Sequence, residues 1–200
     1  MWVKTKNRAT ARFARSGTAW SASAWRVHGR RQCGVSIEFV PRVHVVEQST
    51  ASAERVLEAA RDFSERRAEM WPDVHVEHLQ LHEAGDAWAE VTEGNPWPIG
   101  YVWERLRYDW SEPGSIKGTV VDSNIFKPGS TWELRATPVN GGSRVEVIGV
   151  RHLRGRGRAL APVFPLGLAA RTVAEHLRHF LSVVEQGSPG AGETVRTRVE

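Results

Sequence analysis

The most constraining feature of the sequence is a run of alternating segments followed by one long amphipathic helix. Polar and apolar residues alternate in segments that glycine, proline and asparagine clusters separate, namely 101–110, 115–122, 131–139 and 143–151. This pattern predicts an antiparallel meander. A sheet that carries large side chains on both faces, with one helix to cover it, tends to curl around that helix and to leave a hollow between them. The order of segments therefore predicts a chain that holds a small molecule in such a hollow.

Length and composition restrict the possible architectures. With 200 residues, 40% of them hydrophobic, the chain is long enough for one domain with extensions, since domains commonly have about 100–150 residues. The stretch nearest to a membrane span, 159–170, is short and contains Pro162 and Pro165, so the sequence predicts no transmembrane segment. Cys33 is the single cysteine. It excludes an internal disulfide and a multi-cysteine metal site, and it is typical of the reducing cytoplasm, where we expect the protein.

Basic residues are clustered rather than spread along the chain. The formal net charge is +4, and the excess lies mainly in 4–31 and 151–158. No stacking platform or recognition helix accompanies these clusters, so we expect no nucleic-acid binding. Gly155 and Gly157 interrupt the second cluster, which predicts a solvated loop from Arg151 to Arg158. Such a loop is suited to an acidic protein partner or to an anionic membrane surface.

The two ends of the chain differ from its middle. Residues 1–35 show no sustained periodicity and are rich in Arg, Ser and Ala, which predicts a disordered basic extension. Three interpretations of it stay open: a targeting peptide, a basic tail, and a stretch upstream of the true start, with Val35 encoded by an alternative initiation codon. The third is favoured. We expect a folded domain over 36–186 and a flexible tail over 187–200.

Local signals predict the remaining elements of the folded domain. Ser52 is a plausible N-cap for a first helix, Pro72 ends a second helix, and Gly187 terminates the last one. The predicted elements are a strand that begins near 37 and ends at 48–50, helices over 53–63 and 65–70, strands over 74–81 and 87–92 joined by a turn at 83–86, the meander, and a helix over 168–186.

This order of elements resembles the START-like (SRPBCC) superfamily with the helix-grip fold, and in particular its polyketide cyclase/dehydrase and lipid-transport branch. The resemblance covers about 37–186, and its motifs are Met70-Trp71-Pro72, Val102-Trp103-Glu104, Pro113-Gly114-Ser115, Trp132, Arg135-Ala136 and Gly141-Gly142. It implies an α+β fold with about seven strands in a curved antiparallel sheet, two short helices after the first strand, and a long C-terminal helix across the concave face. It also implies a hydrophobic or aromatic ligand between sheet and helix, and no cofactor.

Strand alternation, with the register that the resemblance implies, predicts which residues face the hollow. On the fourth strand these are the odd-numbered residues from Tyr101 to Asp109, and on the fifth the even-numbered ones from Ile116 to Asp122. The predicted ligand-binding residues are Trp71, Tyr101, Trp103, Arg105, Val120, Trp132, Leu134, Val147, Arg151, Leu177 and Phe180. For each tryptophan, simple core packing is the alternative.

Two functions remain open on this evidence. One is a binding or transfer module without chemistry. The other is a cyclase, aromatase or dehydratase, for which the candidate proton-transfer residues are Arg105, Asp109, Asp122 and His176. Charges on a concave face require a wet cavity, mutual ion pairs or a different register, because burying them alone costs several kcal/mol each.

A metal site is not expected. His78 and His82 are four residues apart on a predicted strand, which separates them by more than about 10 Å at ~3.3 Å per residue. Metal ligands must instead converge on one point.

Overall fold

The computed structural model describes residues 40–97, 100–155, 157–158 and 167–187. The strands are β1 (Arg42–Ser49), β2 (Gln80–Gly85), β3 (Trp88–Trp97), β4 (Gly100–Asp109), β5 (Ser115–Ser123), β6 (Thr131–Val139) and β7 (Gly142–Val150). The helices are α1 (Ala53–Ala60), α2 (Arg67–Met70) and α3 (Leu168–Gln186), with a 3₁₀ turn at Val76–His78. The predicted extension 1–35, the tail from 188 and Cys33 lie outside the described residues, so the predicted domain bounds stay predictions.

One antiparallel sheet contains all seven strands in the order β1-β7-β6-β5-β4-β3-β2. Consecutive strands from β2 to β7 are neighbours, as in a meander, and β1 closes the sheet against β7. α3 packs across the concave face, mainly against β1. This is the helix-grip arrangement, and the predicted fold class is confirmed.

The helix ends follow their local chemistry. The Ser52 side chain accepts a hydrogen bond from the Arg55 amide at 3.3 Å, as expected for an N-cap. Gly187 ends α3, and its N–H donates to the Val183 carbonyl. No helix among the described residues is both long and apolar enough to cross a membrane.

The core lies between the concave face and the inner stripe of α3. The inner stripe of this helix consists of its buried residues: Ala174, Leu177, Phe180, Leu181 and Val184. They meet buried strand residues that include Leu106, Tyr108, Ile116, Leu134 and Val145. Apolar burial of this kind supplies most of the free energy of folding.

Three sequence predictions about the strands are wrong. Residues 74–81 do not form one strand, because a 3₁₀ turn precedes β2. On β4 the even-numbered residues face inward, since Leu106 and Tyr108 are fully buried while Arg107 and Asp109 are exposed. A bulge at Val121 shifts the register of β5, so Asp122 faces outward and the buried Ser123 faces inward.

Candidate functional site

One end of the concave face is packed and the other is accessible. Inward residues in the middle of the sheet, such as Leu106 and Leu134, are fully buried. Those toward the N-terminal half of α3 are only half-buried; they are Glu93, Asn95, Val102, Glu104, Trp132 and Arg151. We call this region the open end. An inward side chain that water can still reach marks an unfilled space next to it.

Two carboxylates face each other at the open end. Glu93 on β3 and Glu104 on β4 are register partners. Their Cβ atoms are therefore about 4.5–5.5 Å apart on the same face, a placement that is unfavourable for like charges. Each carboxylate pairs with its own arginine, Glu93 with Arg67 and Glu104 with Arg151. We call these four side chains at the concave face the charged row.

Glu93 is held from several directions. The Arg67 Nε atom lies 2.5 Å from the Glu93 Oε1 atom, and the Tyr108 hydroxyl donates to the same oxygen at 2.9 Å. Arg67 also donates to the Tyr108 hydroxyl at 2.9 Å and to the Ala60 carbonyl at 3.0 Å. Its side chain is 2% exposed. Although burial alone would lower the pKa of the Arg67 guanidinium, the charge of Glu93 raises that pKa above its ordinary value.

Glu104 is less constrained than Glu93. Its Oε2 atom accepts one hydrogen bond, from the Arg151 Nη1 atom at 2.7 Å. The side chains of Glu104 and Arg151 remain 21% and 18% exposed. The Arg151 guanidinium also lies 4.6 Å from the centre of the Phe126 ring, a cation–π distance.

Glu104 has the electrostatics of an acid–base group. Burial raises the pKa of its carboxyl, the Arg151 guanidinium lowers that pKa, and the nearby carboxylates of Glu93 and Asp73 raise it again. The net direction is upward. A carboxyl whose pKa is raised in this way can exchange a proton closer to neutral pH than an ordinary glutamate.

Aromatic rings form the floor of the open end. The Trp71 ring stacks on Phe180 with 4.5 Å between centres and is tilted against Trp132 at 6.0 Å. The Trp132 ring lies over Gly118, where a Cβ atom would come within 2.6 Å of the Trp132 Nε1 atom. The Trp71 Nε1 atom is buried and has no acceptor among the described residues. An unpaired buried donor costs about 1–3 kcal/mol.

His176 lies beside the open end, on α3. Its Nδ1 atom is 3.7 Å from the Asp73 Oδ1 atom, and its side chain is half-buried. Of the four predicted proton-transfer candidates, it is the one that the structure places near the concave face.

The other three candidates lie on the outer face of the sheet. Arg105 forms an ion pair with Glu90 of β3. Asp109 accepts hydrogen bonds from the side chain and amide of Ser111, which lower the pKa of its carboxyl. Asp122 is 53% exposed and pairs with Arg154 at 2.7 Å. The predicted inward orientation of these three residues is wrong.

The predicted ligand-binding residues fall into three groups. Tyr101 and Trp103 join Arg105 on the outer face, where the Tyr101 ring packs against His78 at 4.3 Å. Five residues are buried core: Val120, Leu134, Val147, Leu177 and Phe180. Trp71, Trp132 and Arg151 border the open end.

The charged row of the concave face is not among the predicted site residues. Glu104 belongs to one motif of the family resemblance, Val102-Trp103-Glu104, whereas Glu93 and Arg67 belong to none. A usable signal was present for β4: its even-numbered residues Val102, Leu106 and Tyr108 are apolar apart from Glu104, whereas its odd-numbered residues include three charges. Arg67 carried no such signal, because a fully buried arginine is rare.

Two arginines of the predicted solvated loop after β7 form contacts within the domain. Arg151 binds Glu104, and Arg154 binds Asp122 and the Ser123 carbonyl. Gly157 approaches the Ile125 carbonyl so closely that a Cβ atom there would lie 2.4 Å from the oxygen. Arg158 is exposed. A docking role of this loop stays a prediction.

Two grooves lie along α1, away from the charged row. One, of about 200 Å³, is bordered by Trp110 and Pro113, and the other, of about 470 Å³, by Met70 and Val184. Neither is bordered by Glu104 or Arg151. We place the candidate site at the open end. Charged side chains that face inward and are still reached by water indicate a binding site more strongly than a groove on the surface does. Within the described part of the chain, no group of three or more His, Cys, Asp or Glu side chains is arranged to hold a metal ion.

Comparisons with known proteins concern the fold of the chain. Neither the protein-family models nor the curated proteins include a match. Among solved structures, TTHA0849 from Thermus thermophilus matches with a TM-score of 0.63 and 17% identity, over 74% of this chain and 99% of that one. The Zhui aromatase/cyclase from Streptomyces sp. R1128 matches with a TM-score of 0.62 and 18% identity, over 77% and 99%.

A START superfamily protein from Mycobacterium smegmatis also matches, with a TM-score of 0.57 and 14% identity, over 73% of this chain and 98% of that protein. At such low identities the likeness concerns the fold. The chain therefore has the helix-grip fold of the START-like (SRPBCC) superfamily, as its sequence predicts.

Proposed function

We propose that this domain binds a small, mainly apolar or aromatic molecule at the open end, between the concave face of the sheet and the N-terminal half of α3. The observation that carries the proposal is Glu104. Its side chain lies on the inner face, between residues that point into the core, yet it is 21% exposed. A space that water can enter therefore adjoins it inside the fold.

The surroundings of Glu104 suit such a ligand. Trp71 and Trp132 offer ring faces, and Val102 and Val173 offer aliphatic surface that is only half-buried. Sites for small molecules are usually apolar, with a few polar groups that fix orientation.

Catalysis is a second candidate function, favoured by the raised pKa of Glu104. A carboxyl of this kind beside an apolar ligand could donate or remove a proton in a cyclisation or dehydration. Two of the similar structures also favour catalysis as a function. One is an aromatase/cyclase, and the other is the di-domain ARO/CYC protein BexL, of which this chain covers 52%. In this proposal His176 assists from α3, and Arg105, Asp109 and Asp122 take no part.

Binding can be tested with a neutral fluorescent probe, N-phenyl-1-naphthylamine. Val102→Phe extends into the open end and is expected to weaken probe binding by about tenfold, since the added ring occupies ligand space. Trp103→Phe alters the neighbouring residue on the outer face and serves as the matched control. Thermal melting checks that both variants fold.

The outcome separates the alternatives cleanly. A probe that does not bind the wild-type domain, or equal affinities of the two folded variants, would contradict the proposal. For catalysis, Glu104→Gln should abolish turnover of a poly-β-ketone test substrate, whereas Glu90→Gln on the outer face should retain it. Unchanged turnover in Glu104→Gln would exclude Glu104 as the acid or base.

A further inference from the structure

The charges around the open end do not balance. Among the described residues, three carboxylates lie in or beside this region: those of Glu93 and Glu104, and that of Asp73, which is 49% exposed. Glu93 and Asp73 both act to raise the pKa of Glu104. Two guanidiniums, of Arg67 and Arg151, face them. These five side chains therefore carry one more negative than positive charge. The excess belongs to Asp73 at the accessible rim, because Glu93 and Glu104 each have an arginine.

The two facing carboxylates are not equivalent. Glu93 receives an ion pair and a tyrosine hydroxyl on one oxygen, and its arginine is fully buried. Glu104 has a single partner at 2.7 Å, and both members of that pair are partly exposed. Glu104 is therefore the carboxylate that a ligand can reach, while Glu93 acts as a fixed negative charge opposite it.

We propose that the ligand is a hydrophobic amine whose ammonium group binds the Glu104 carboxylate. The inference rests on the proposed function, because it assigns a chemical class to the molecule that occupies the same site. One positive charge on the ligand offsets the excess negative charge of the open end. A carboxylate ligand would instead meet three carboxylates and two arginines that already have partners.

The aromatic floor supports the same choice. The faces of tryptophan rings attract cations, and this attraction amounts to about 0.5–2 kcal/mol depending on desolvation. Trp71 and Trp132 border the open end, and the interior already contains cations over rings, with Arg67 4.7 Å from the centre of Phe63 and Arg151 4.6 Å from that of Phe126. An ammonium group between Glu104 and these rings would be bound in the same manner.

Three probes with one naphthalene skeleton test the inference: 2-(2-naphthyl)ethylamine, 2-(2-naphthyl)ethanol and 2-naphthylacetate. Calorimetric titration at pH 8 should show the amine binding at least about tenfold more tightly than the alcohol, because a charge-assisted hydrogen bond replaces a neutral one. The acetate should bind most weakly. Glu104→Gln should remove the preference for the amine and leave the affinity for the alcohol within about twofold.

Controls keep the result decisive. Glu90→Gln makes the same change on the outer face and should retain the preference for the amine. If Glu104→Gln fails to fold because Arg151 loses its partner, the double variant Glu104→Gln/Arg151→Met replaces it. An alcohol or acetate that binds as well as the amine, or an amine preference that survives loss of Glu104, overturns the inference while the proposed function stands. If none of the three probes binds, both are overturned.

Discussion

At the scale of single residues, Arg67 organises the interior charges. Its guanidinium is buried and contacts the Glu93 carboxylate, the Tyr108 hydroxyl and the Ala60 carbonyl. Removing one partner from a buried ion pair leaves an uncompensated charge, which costs about 3–5 kcal/mol. We therefore expect Arg67→Met to lower the free energy of unfolding by about that amount, measured by urea denaturation.

A second substitution separates charge from packing in this result. Glu93→Gln removes the carboxylate that Arg67→Met would leave unpaired, so the double variant should recover part of the lost stability. Single and double variants together form a double-mutant cycle. Purely additive effects would show that the two side chains do not act as a pair.

The pH dependence of stability provides a test of Glu104. Its pKa in the folded protein is raised from the ordinary value of 4.5, mainly by burial. Below pH 4.5 the carboxyl is protonated in both the folded and the unfolded state, so its raised pKa does not change the stability of the fold. As the pH rises above it, the unfolded chain releases the proton first, so the folded state becomes less stable until Glu104 itself ionises. The difference in stability between Glu104→Gln and wild type should therefore shift in favour of the variant as the pH rises above 4.5.

Glu185 should behave in the opposite way. Its carboxylate accepts hydrogen bonds from the Ser49 hydroxyl at 2.7 Å and the Thr50 amide at 2.9 Å, and the first of these lowers its pKa. The stability it supplies is present above 4.5 and is lost as the pH falls through the lowered value. Glu185→Gln should cost about 1 kcal/mol at pH 7, given its exposure, and nothing at pH 2. Thermal melts of both variants from pH 2 to 8 should show slopes of opposite sign.

At the scale of elements, the contact between β5 and β6 sets the floor of the candidate site. Trp132 lies flat because Gly118 opposite it has no side chain. A methyl group there would approach the Trp132 Nε1 atom to 2.6 Å and Leu106 to 3.1 Å. Gly118→Ala is expected to destabilise the domain by about 1–3 kcal/mol through overpacking.

Gly149 provides the matched control for that substitution. It is the partner of Trp132 on β7, on the same face, and a methyl group there would meet only Val43, at 3.8 Å. Gly149→Ala should be nearly neutral. Equal effects of the two substitutions in urea denaturation would show that the Trp132 ring is not fixed over Gly118.

The sequence predicts the elements better than it predicts their faces. The end of α3 at Gly187 and the N-cap at Ser52 follow from local chemistry, and both are confirmed. The inner face predicted for β4 is wrong, because the large rings of Tyr101 and Trp103 lie on the outer face while Leu106 faces the core. The orientation of Asp122 could not be predicted, since one bulged residue, Val121, reverses every side chain that follows it.

At the scale of the whole molecule, the order of strands and helices was enough to predict the helix-grip fold. Neighbouring segments pair with one another in a meander, so sequence order largely decides the topology. The site was harder to predict, because it combines Glu93 and Glu104 of the paired strands β3 and β4 with Arg67 of α2 and Arg151 after β7. The approach of the two arginines depends on the tertiary fold, which no local pattern records. The sequence predicts charged residues at the concave face. The structure has charged residues there, but at positions other than the predicted ones.

Nuclear Overhauser effects can show directly whether the open end around Glu104 accommodates a ligand. Methyl-labelled protein with N-phenyl-1-naphthylamine should show contacts from the probe to Val102 and Val173, which border the open end. Val121, which is exposed on the outer face, should show none. Contacts confined to Val121, or to the Val183 and Val184 methyl groups beside the groove along α1, would contradict the account.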